Sequence, residues 1–437
     1  MTQEVISFFD NFKCAATECK SNCCKAWDMP VDEKTMEVYA NEPGIKGKMR
    51  RLTIKNNSSG ENVMRTPFGR CCNLSKEKLC KLQLDERTDL MPKVCRLYPR
   101  SIVAYGRAKD AVNAAVNDSA SADDVKVNQN EPYYVRAMLD LSCIEAAKLF
   151  VESDGRLECV GVKEPLEIYW DIDDAYPEFI DFLREDLDKM LDYLWFEYPE
   201  PVLPERVFGD LICDDDTPAK VKDADELWRR QKGIFAHAYG VHLKLVRDDL
   251  AGAREIGFEL GDNIGENDNI PKLVEMREAS ETDYPYLPMS LINSLMYNKL
   301  PETYLGMYHP KMLMLVLNYR RQFGKVLVNN ADRAFKGTWD DLCEKYDWLA
   351  DKIKNYFSYK LQMNYLNAAV DFYVLEPVLL AMLNTQFLMI FIITYCGGKK
   401  PLTRAKFAEL LSETEKLLSH NTVFCKEAMQ EIREELF

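Results

Sequence analysis

Phe12-Lys13-Cys14-Ala15-Ala16-Thr17-Glu18-Cys19-Lys20-Ser21-Asn22-Cys23-Cys24-Lys25-Ala26-Trp27 places four thiols in one short stretch. Thiolates three to five residues apart can converge on one soft metal ion or cluster, because a short loop curls and turns several sulfurs inward. The array continues in Cys71-Cys72-Asn73-Leu74, closes at Cys80, and resumes in Pro92-Lys93-Val94-Cys95-Arg96-Leu97-Tyr98-Pro99-Arg100 and at Cys143. The spacing is C-x4-C-x3-C-C, then C-C-x7-C-x14-C, then the remote Cys143. This crowding points to a metal centre, and thiolate sites suit zinc and iron–sulfur alike. The candidate ligands are Cys14, Cys19, Cys23, Cys24, Cys72, Cys80, Cys95 and Cys143, with Cys19, Cys23, Cys80 and Cys95 placed first by spacing. Eight thiols exceed the needs of one tetrahedral zinc or one four-iron cluster, so either two centres form or several cysteines are spectators. Cys159, Cys213, Cys343, Cys396 and Cys425 stand alone and read as inert thiols.

Pro92 and Pro99 restrain the backbone on either side of Cys95, which suits a rigid ligand loop. Pro30-Val31-Asp32-Glu33 predicts a helix start with Asp32 as N-cap. Residues 40–70, rich in Gly, Asn and Lys, predict an irregular excursion. Ser101 to Val116 predicts a short strand or two, and Asn117 to Pro132 a polar loop. Leu141-Ser142-Cys143-Ile144-Glu145 predicts a capping box with Ser142 as N-cap and Glu145 at the third position. Cys143 then falls at the first helical position, where the helix dipole favours a thiolate and suits a last ligand.

From about residue 160 the pattern changes to long amphipathic helices. Leu183, Leu187, Met190, Leu191, Leu194 and Trp195 share one face, and similar stripes recur over Leu227 to Val246, Met312 to Phe323, Trp339 to Leu366 and Lys406 to Leu418. Such stripes are core rather than cofactor boxes. Val378 to Cys396 is apolar and about as long as a bilayer crossing. Asn384, Thr385 and Gln386 at its middle favour one or two buried core helices instead, since adjacent polar side chains are costly in hydrocarbon. The expected fold is mainly α, an irregular cysteine-rich metal-binding domain over 1–158 packed on a helical body over 159–437, with a sub-boundary near 261–287.

The 437 residues are long enough for a large core, and 47% hydrophobic with 29% charged is ordinary for a folded chain. A net charge of −15 without a basic stripe argues against nucleic acid as a partner. The N-terminus carries no signal-peptide pattern, so the cysteines are expected in a reducing cytoplasm, as metal ligands rather than disulfides. No Gly-rich phosphate loop is present, since Gly261-Asp262-Asn263-Ile264-Gly265 has the wrong spacing. Cys19-x3-Cys23 is followed by Ala26 where a radical S-adenosylmethionine motif requires cysteine. His237, His242, His309 and His420 are scattered and read as surface or satisfied core histidines. Asp214-Asp215-Asp216 reads as a solvated turn.

Phe12-Lys13-Cys14 through Cys23-Cys24 to Trp27, Cys72-x-Leu74 to Leu79-Cys80, Cys95 to Arg100, and Leu141-Ser142-Cys143-x-Glu145-Ala146-Ala147 resemble, in order, the bacterial flagellin lysine-N-methylase family. Fainter similarity runs through Asn364-Tyr365-Leu366 to Ser419-His420-Asn421. The first half is also similar to small proteins described as zinc- or iron-chelating. Two positions depart from the family pattern: Ile144 stands where a proline is expected, and Cys71 adds a thiol beside Cys72. The resemblance implies a cytosolic enzyme that transfers methyl groups from S-adenosylmethionine to lysine ε-amino groups of flagellin, assisted by an iron–sulfur cluster, 4Fe–4S in type. It assigns no residue of this chain as the catalytic base. Zinc stays open as the alternative metal, as do peripheral membrane contact and a homo-oligomer. The competing function classes are a non-enzymatic metal-binding adaptor with a structural array, and a redox sensor built on Cys23-Cys24.

Overall fold

A computed structural model describes the chain except residues 1, 20–22, 25–28, 57–59, 68–69, 85–86, 108–131, 167–172, 198–213, 219–223, 257–286, 288, 301–309, 324–330, 372, 420 and 437. Its strands include β1 (Thr2–Ile6), β2 (Ile54–Asn56), β3 (Asn62–Met64), β4 (Arg100–Arg107), β5 (Tyr134–Leu139), β6 (Cys159–Gly161) and β7 (Asp173–Ala175). The helices of the cysteine region are α1 (Glu33–Asn41), α2 (Gly44–Arg51), α3 (Lys81–Leu84) and α4 (Lys93–Leu97). After α5 (Ile144–Glu152) and α6 (Pro177–Trp195), the body carries α7 (Ala224–Ile256), α8 (Pro310–Phe323), α9 (Ala331–Lys345), α10 (Leu349–Asn364), α11 (Leu375–Gly397), α12 (Arg404–Leu418) and α13 (Thr422–Leu436).

The molecule is mostly helical, yet a five-stranded mixed sheet in the order β6-β1-β5-β4-β7 joins its N-terminal part to the body. Every residue of β5 is buried, so both faces of this central strand are covered, and its sequence Tyr-Val-Arg-Ala-Met-Leu shows no alternation. β1 runs parallel to β5, and β4 runs antiparallel on its other side. α10 lies against the sheet: the Tyr359 hydroxyl meets the Leu139 amide at 3.0 Å, and Phe8 stacks on the Tyr359 ring. The largely buried α11 packs behind α10. Two of its polar residues are satisfied there, Thr385 Oγ1 donating to the Ala381 carbonyl at 2.7 Å and Gln386 Nε2 to the Leu287 carbonyl at 2.8 Å. That is the expected buried core helix. Where α6 crosses α7, Gly233 admits the Tyr193 ring, for a Cβ there would lie 2.5 Å from Cε1.

Among the described residues, the buried side chains form two cores. The larger one runs from the sheet through the body, and the smaller gathers Met29, Val31, Tyr39, Ile54, Met64, Leu82, Leu90 and Met91 around Cys71. The predicted face of α6 is buried at Leu183, Leu187, Met190, Leu191 and Leu194, while Trp195 is half-buried.

Several expectations are corrected. The sheet exceeds the short strand or two expected after Ser101, because β1, β5 and β6 are short and gain their pairing from distant segments. Residues 40–70 hold α2 and a hairpin of β2 with β3 rather than an irregular excursion. Trp339 to Leu366 is interrupted at Tyr346–Trp348, so its stripe belongs to two helices, α9 and α10. Asp214-Asp215-Asp216 opens a strand, Asp214–Pro218, paired with Phe196–Glu197, rather than a free turn. The loop expected over Asn117 to Pro132 lies, except for Pro132, outside the described residues, as do Cys213, the 261–286 stretch, His309 and His420.

Candidate metal centre

Asp32 caps α1 as expected, accepting the Thr35 amide at 3.0 Å and the Thr35 hydroxyl at 2.8 Å. Its Oδ2 also accepts the Lys93 amide at 2.7 Å, which fastens the start of α4 to the start of α1 and so places Cys95. Burial raises the Asp32 carboxyl, but these donors, the Lys93 amide foremost, outweigh it and hold it below the ordinary aspartate value. The loop from Cys71 to Cys80 closes on itself through the Leu74–Cys80 bridge and the Ser75 amide, 2.8 Å from the Leu79 carbonyl. It is tied to the first cysteine cluster by the Cys71 amide, which donates to the Cys24 carbonyl at 2.8 Å. Cys95 follows Pro92 in α4, and Tyr98-Pro99 is a cis peptide.

These ties bring sulfurs from separate stretches within electrostatic reach. Cys24 senses charge on Cys71 and Cys95, while Cys80 and Cys95 each sense Cys71 and Cys23. The adjacent pairs divide their protons unequally. Hydrogen bonding from Cys24 draws Cys23 down to about 7, and Cys24 is pushed up in return. A separate hydrogen bond, between Cys71 and Cys72, draws Cys72 down to about 7 and pushes Cys71 up. Burial raises Cys80 and Cys95, and neighbouring thiols raise them further. Several thiolates cannot ionise together there without a cation, because like charges and burial both oppose it. A thiophilic metal would displace those protons.

Cys143 is placed differently from expectation. The helix begins at Ile144, so Cys143 rather than Ser142 is the N-cap. The Glu145 and Ala146 amides favour its thiolate, but burial dominates and pushes it up to about 12. Ser142 is instead wholly buried, its hydroxyl 2.9 Å from that of Tyr98. Cys143 senses Cys19 and Cys23. Cys19 and Cys143 pack on the large core, whereas Cys24, Cys72, Cys80 and Cys95 pack on the small one, so the sulfurs straddle the seam between the cores.

Not every candidate joins them. Cys14 is exposed, and its sulfur accepts the Ala16 amide in its own turn. Cys71, omitted from the candidate ligands as an extra thiol, is buried at the centre of the group. The doublet Cys71-Cys72, repeating the doublet Cys23-Cys24, is the signal that could have included it. Among the described residues no group of three or more Cys, His, Asp or Glu side chains forms a ready-made metal shell. His237 is a satisfied core histidine, its Nε2 2.6 Å from Asp186, and the His242 ring meets the Tyr373 ring edge-on. Cys159 is a spectator beside Met138 Sδ at 3.7 Å.

A cleft of about 440 Å3 opens beside α4 on the same seam. One wall comes from Pro30, Val31, Asp32 and α4, the other from the start of β4 and from Asp140.

Over 105 residues, 23% of its length, the chain is 26% identical to proteins named lysine-N-methylase from Salmonella choleraesuis (strain SC-B67) and Salmonella typhimurium (strain LT2). It is a distant relative of the lysine-N-methylases. The match spans 26% of the length of those relatives. The chain is also 29% identical over 105 residues to the flagellar biosynthetic protein FliU of Salmonella muenchen, 62% of whose length is covered. No family model matches the chain, and no solved structure matches it. The tie to lysine-N-methylases is therefore one of sequence, local and distant.

Proposed function

We propose that this chain is a protein-lysine methyltransferase that uses S-adenosylmethionine to methylate flagellin, with a metal centre held by its N-terminal cysteines. The observation that carries the reading is the relationship to proteins named lysine-N-methylase, and the FliU relationship supports a flagellar setting. The donor set supports the metal: Cys23, Cys24, Cys71, Cys72, Cys80 and Cys95 are soft ligands gathered by ties between separate stretches. Those six would hold it, with Cys19 and Cys143 on the body side of the seam. An iron–sulfur cluster would bring redox capacity and folding free energy to a region whose own core is small. Methyl transfer requires a neutral lysine. Its nitrogen lone pair forms the new C–N bond as the donor's C–S bond breaks, the electron pair stays on sulfur, and the ammonium proton leaves.

A structural metal in a non-enzymatic adaptor is the second reading. It is favoured by the packing of Cys24, Cys72, Cys80 and Cys95 against the same small apolar core. The deciding experiment purifies the chain without oxygen, measures iron, zinc and acid-labile sulfide, and incubates it with flagellin and methyl-labelled S-adenosylmethionine. Label on flagellin lysines with iron and sulfide present is the expected result. A fully metal-loaded chain that transfers no label sinks the enzymatic reading and leaves the adaptor.

A further inference from the structure

The cleft on the seam carries charge of both signs in a fixed arrangement. Asp32 and Lys93 lie on the wall of α1 and α4, and Arg100 and Asp140 lie on the sheet wall. Arg100 pairs with Leu139 across β4 and β5, so Arg100 and Asp140 occupy neighbouring places at one end of the two strands. Both are held. The Asp140 carboxylate accepts the Ser142 amide at 2.8 Å, and the Asp140 amide donates to the Pro99 carbonyl at 2.6 Å. The Arg100 guanidinium stands 5.3 Å from the centre of the Phe12 ring and 5.7 Å from that of Phe9. On the same two walls, Val31, Leu97 and Ile102 add an apolar lining. The volume falls in the range of small-molecule sites, which favour boundaries between cores.

We propose that this cleft binds an α-amino-acid zwitterion carried on a larger body, with Arg100 taking the carboxylate and Asp140 the ammonium. In the methyl-transfer reading, on which this assignment rests, that ligand is the methionyl end of S-adenosylmethionine, and the apolar lining receives the remainder. The placement fits such a role: Lys93 lies two residues before Cys95 on α4, and Asp140 three before Cys143, so cleft and sulfurs share backbone. A free lysine side chain carries no carboxylate in a protein, and it would leave the Arg100 side of the cleft without a partner group.

The test is calorimetric binding of S-adenosylhomocysteine to the full metal-loaded chain, with adenosine as the probe lacking the zwitterion. Asp140→Asn keeps an oxygen for the Ser142 amide, and Arg100→Gln keeps the stem. Each is expected to weaken S-adenosylhomocysteine at least tenfold and adenosine less than twofold. Equal weakening of both probes, or wild-type affinity in both variants, overturns the assignment. A second measurement needs no variant: S-adenosylhomocysteine should protect Lys93 of the wild-type chain from acylation, read by mass spectrometry, and unprotected Lys93 at saturation overturns it as well. Flagellin methylation by variants that still bind normally discards the cleft and keeps the methyltransferase. A wild-type chain that neither binds nor methylates discards both.

Discussion

Ser412 of α12 donates its hydroxyl to the Ser142 carbonyl at 2.7 Å, joining positions 270 residues apart in the chain. Ser142 also meets the Tyr98 hydroxyl, and it directly precedes Cys143, so one buried serine links the end of α4, the start of α5 and the helical body. Ser412→Ala leaves the Ser142 carbonyl buried without this donor. The expected loss is about 1–3 kcal/mol, the usual penalty for an orphaned buried polar group, measured by urea unfolding.

The buried Lys360–Glu415 pair, 3.1 Å apart, ties α10 to α12, and Glu415 also accepts from the Tyr356 and Ser419 hydroxyls. Lys360→Met strands a buried carboxylate and is expected to cost about 3–5 kcal/mol, whereas adding Glu415→Gln should restore much of it. A double mutant no more stable than Lys360→Met argues that the two charges do not act as a pair.

Glu4 on β1 accepts the Tyr134 hydroxyl at 2.5 Å and faces Arg136 at 3.1 Å and Arg184 at 2.7 Å. Burial raises its carboxyl, but the Tyr134 bond and the two guanidinium groups prevail and hold it below the ordinary glutamate value. A carboxyl depressed by folding stabilises the protein above its unfolded value, about 4.3, and that stabilisation is lost as pH falls through the folded value. Glu4→Gln should therefore be less stable than wild type at neutral pH. The gap should close on acidification below pH 4, in unfolding free energies followed across that range.

Metal content should separate the cysteines by place rather than by spacing. Cys71→Ser is expected to lose metal as fully as Cys95→Ser, because both thiols lie inside the group of sulfurs that sense one another. Cys14→Ser and Cys159→Ser should retain it, the first exposed in its own turn and the second paired with Met138. Elemental analysis of anaerobically purified variants checks both halves of the statement.

Local patterns in the chain were readable wherever one segment supplies its own reasons. The Asp32 cap, the buried stripe of α6 and the buried polar triplet of α11 each follow from side chains within a few turns. The strands were harder to read. β1 has five residues and β5 is buried on both faces, so neither shows the alternation that betrays a half-buried strand. α5 starts one residue later than its capping pattern predicts, because Ser142 spends its hydroxyl on Tyr98 rather than on the helix end.

The sequence by itself determined that thiols crowd the first third of the chain and that helices dominate the remainder, since spacing and periodicity are properties of neighbouring residues. Only the tertiary structure decided which sulfurs come within electrostatic reach of one another. Cys71 enters the group and Cys14 leaves it because of a backbone bond to Cys24, the Asp32–Lys93 clamp and the two cores that meet at the seam. Those contacts join residues tens to hundreds of positions apart. Their free energy exists only once the chain has closed on itself, so no local window of sequence carries it.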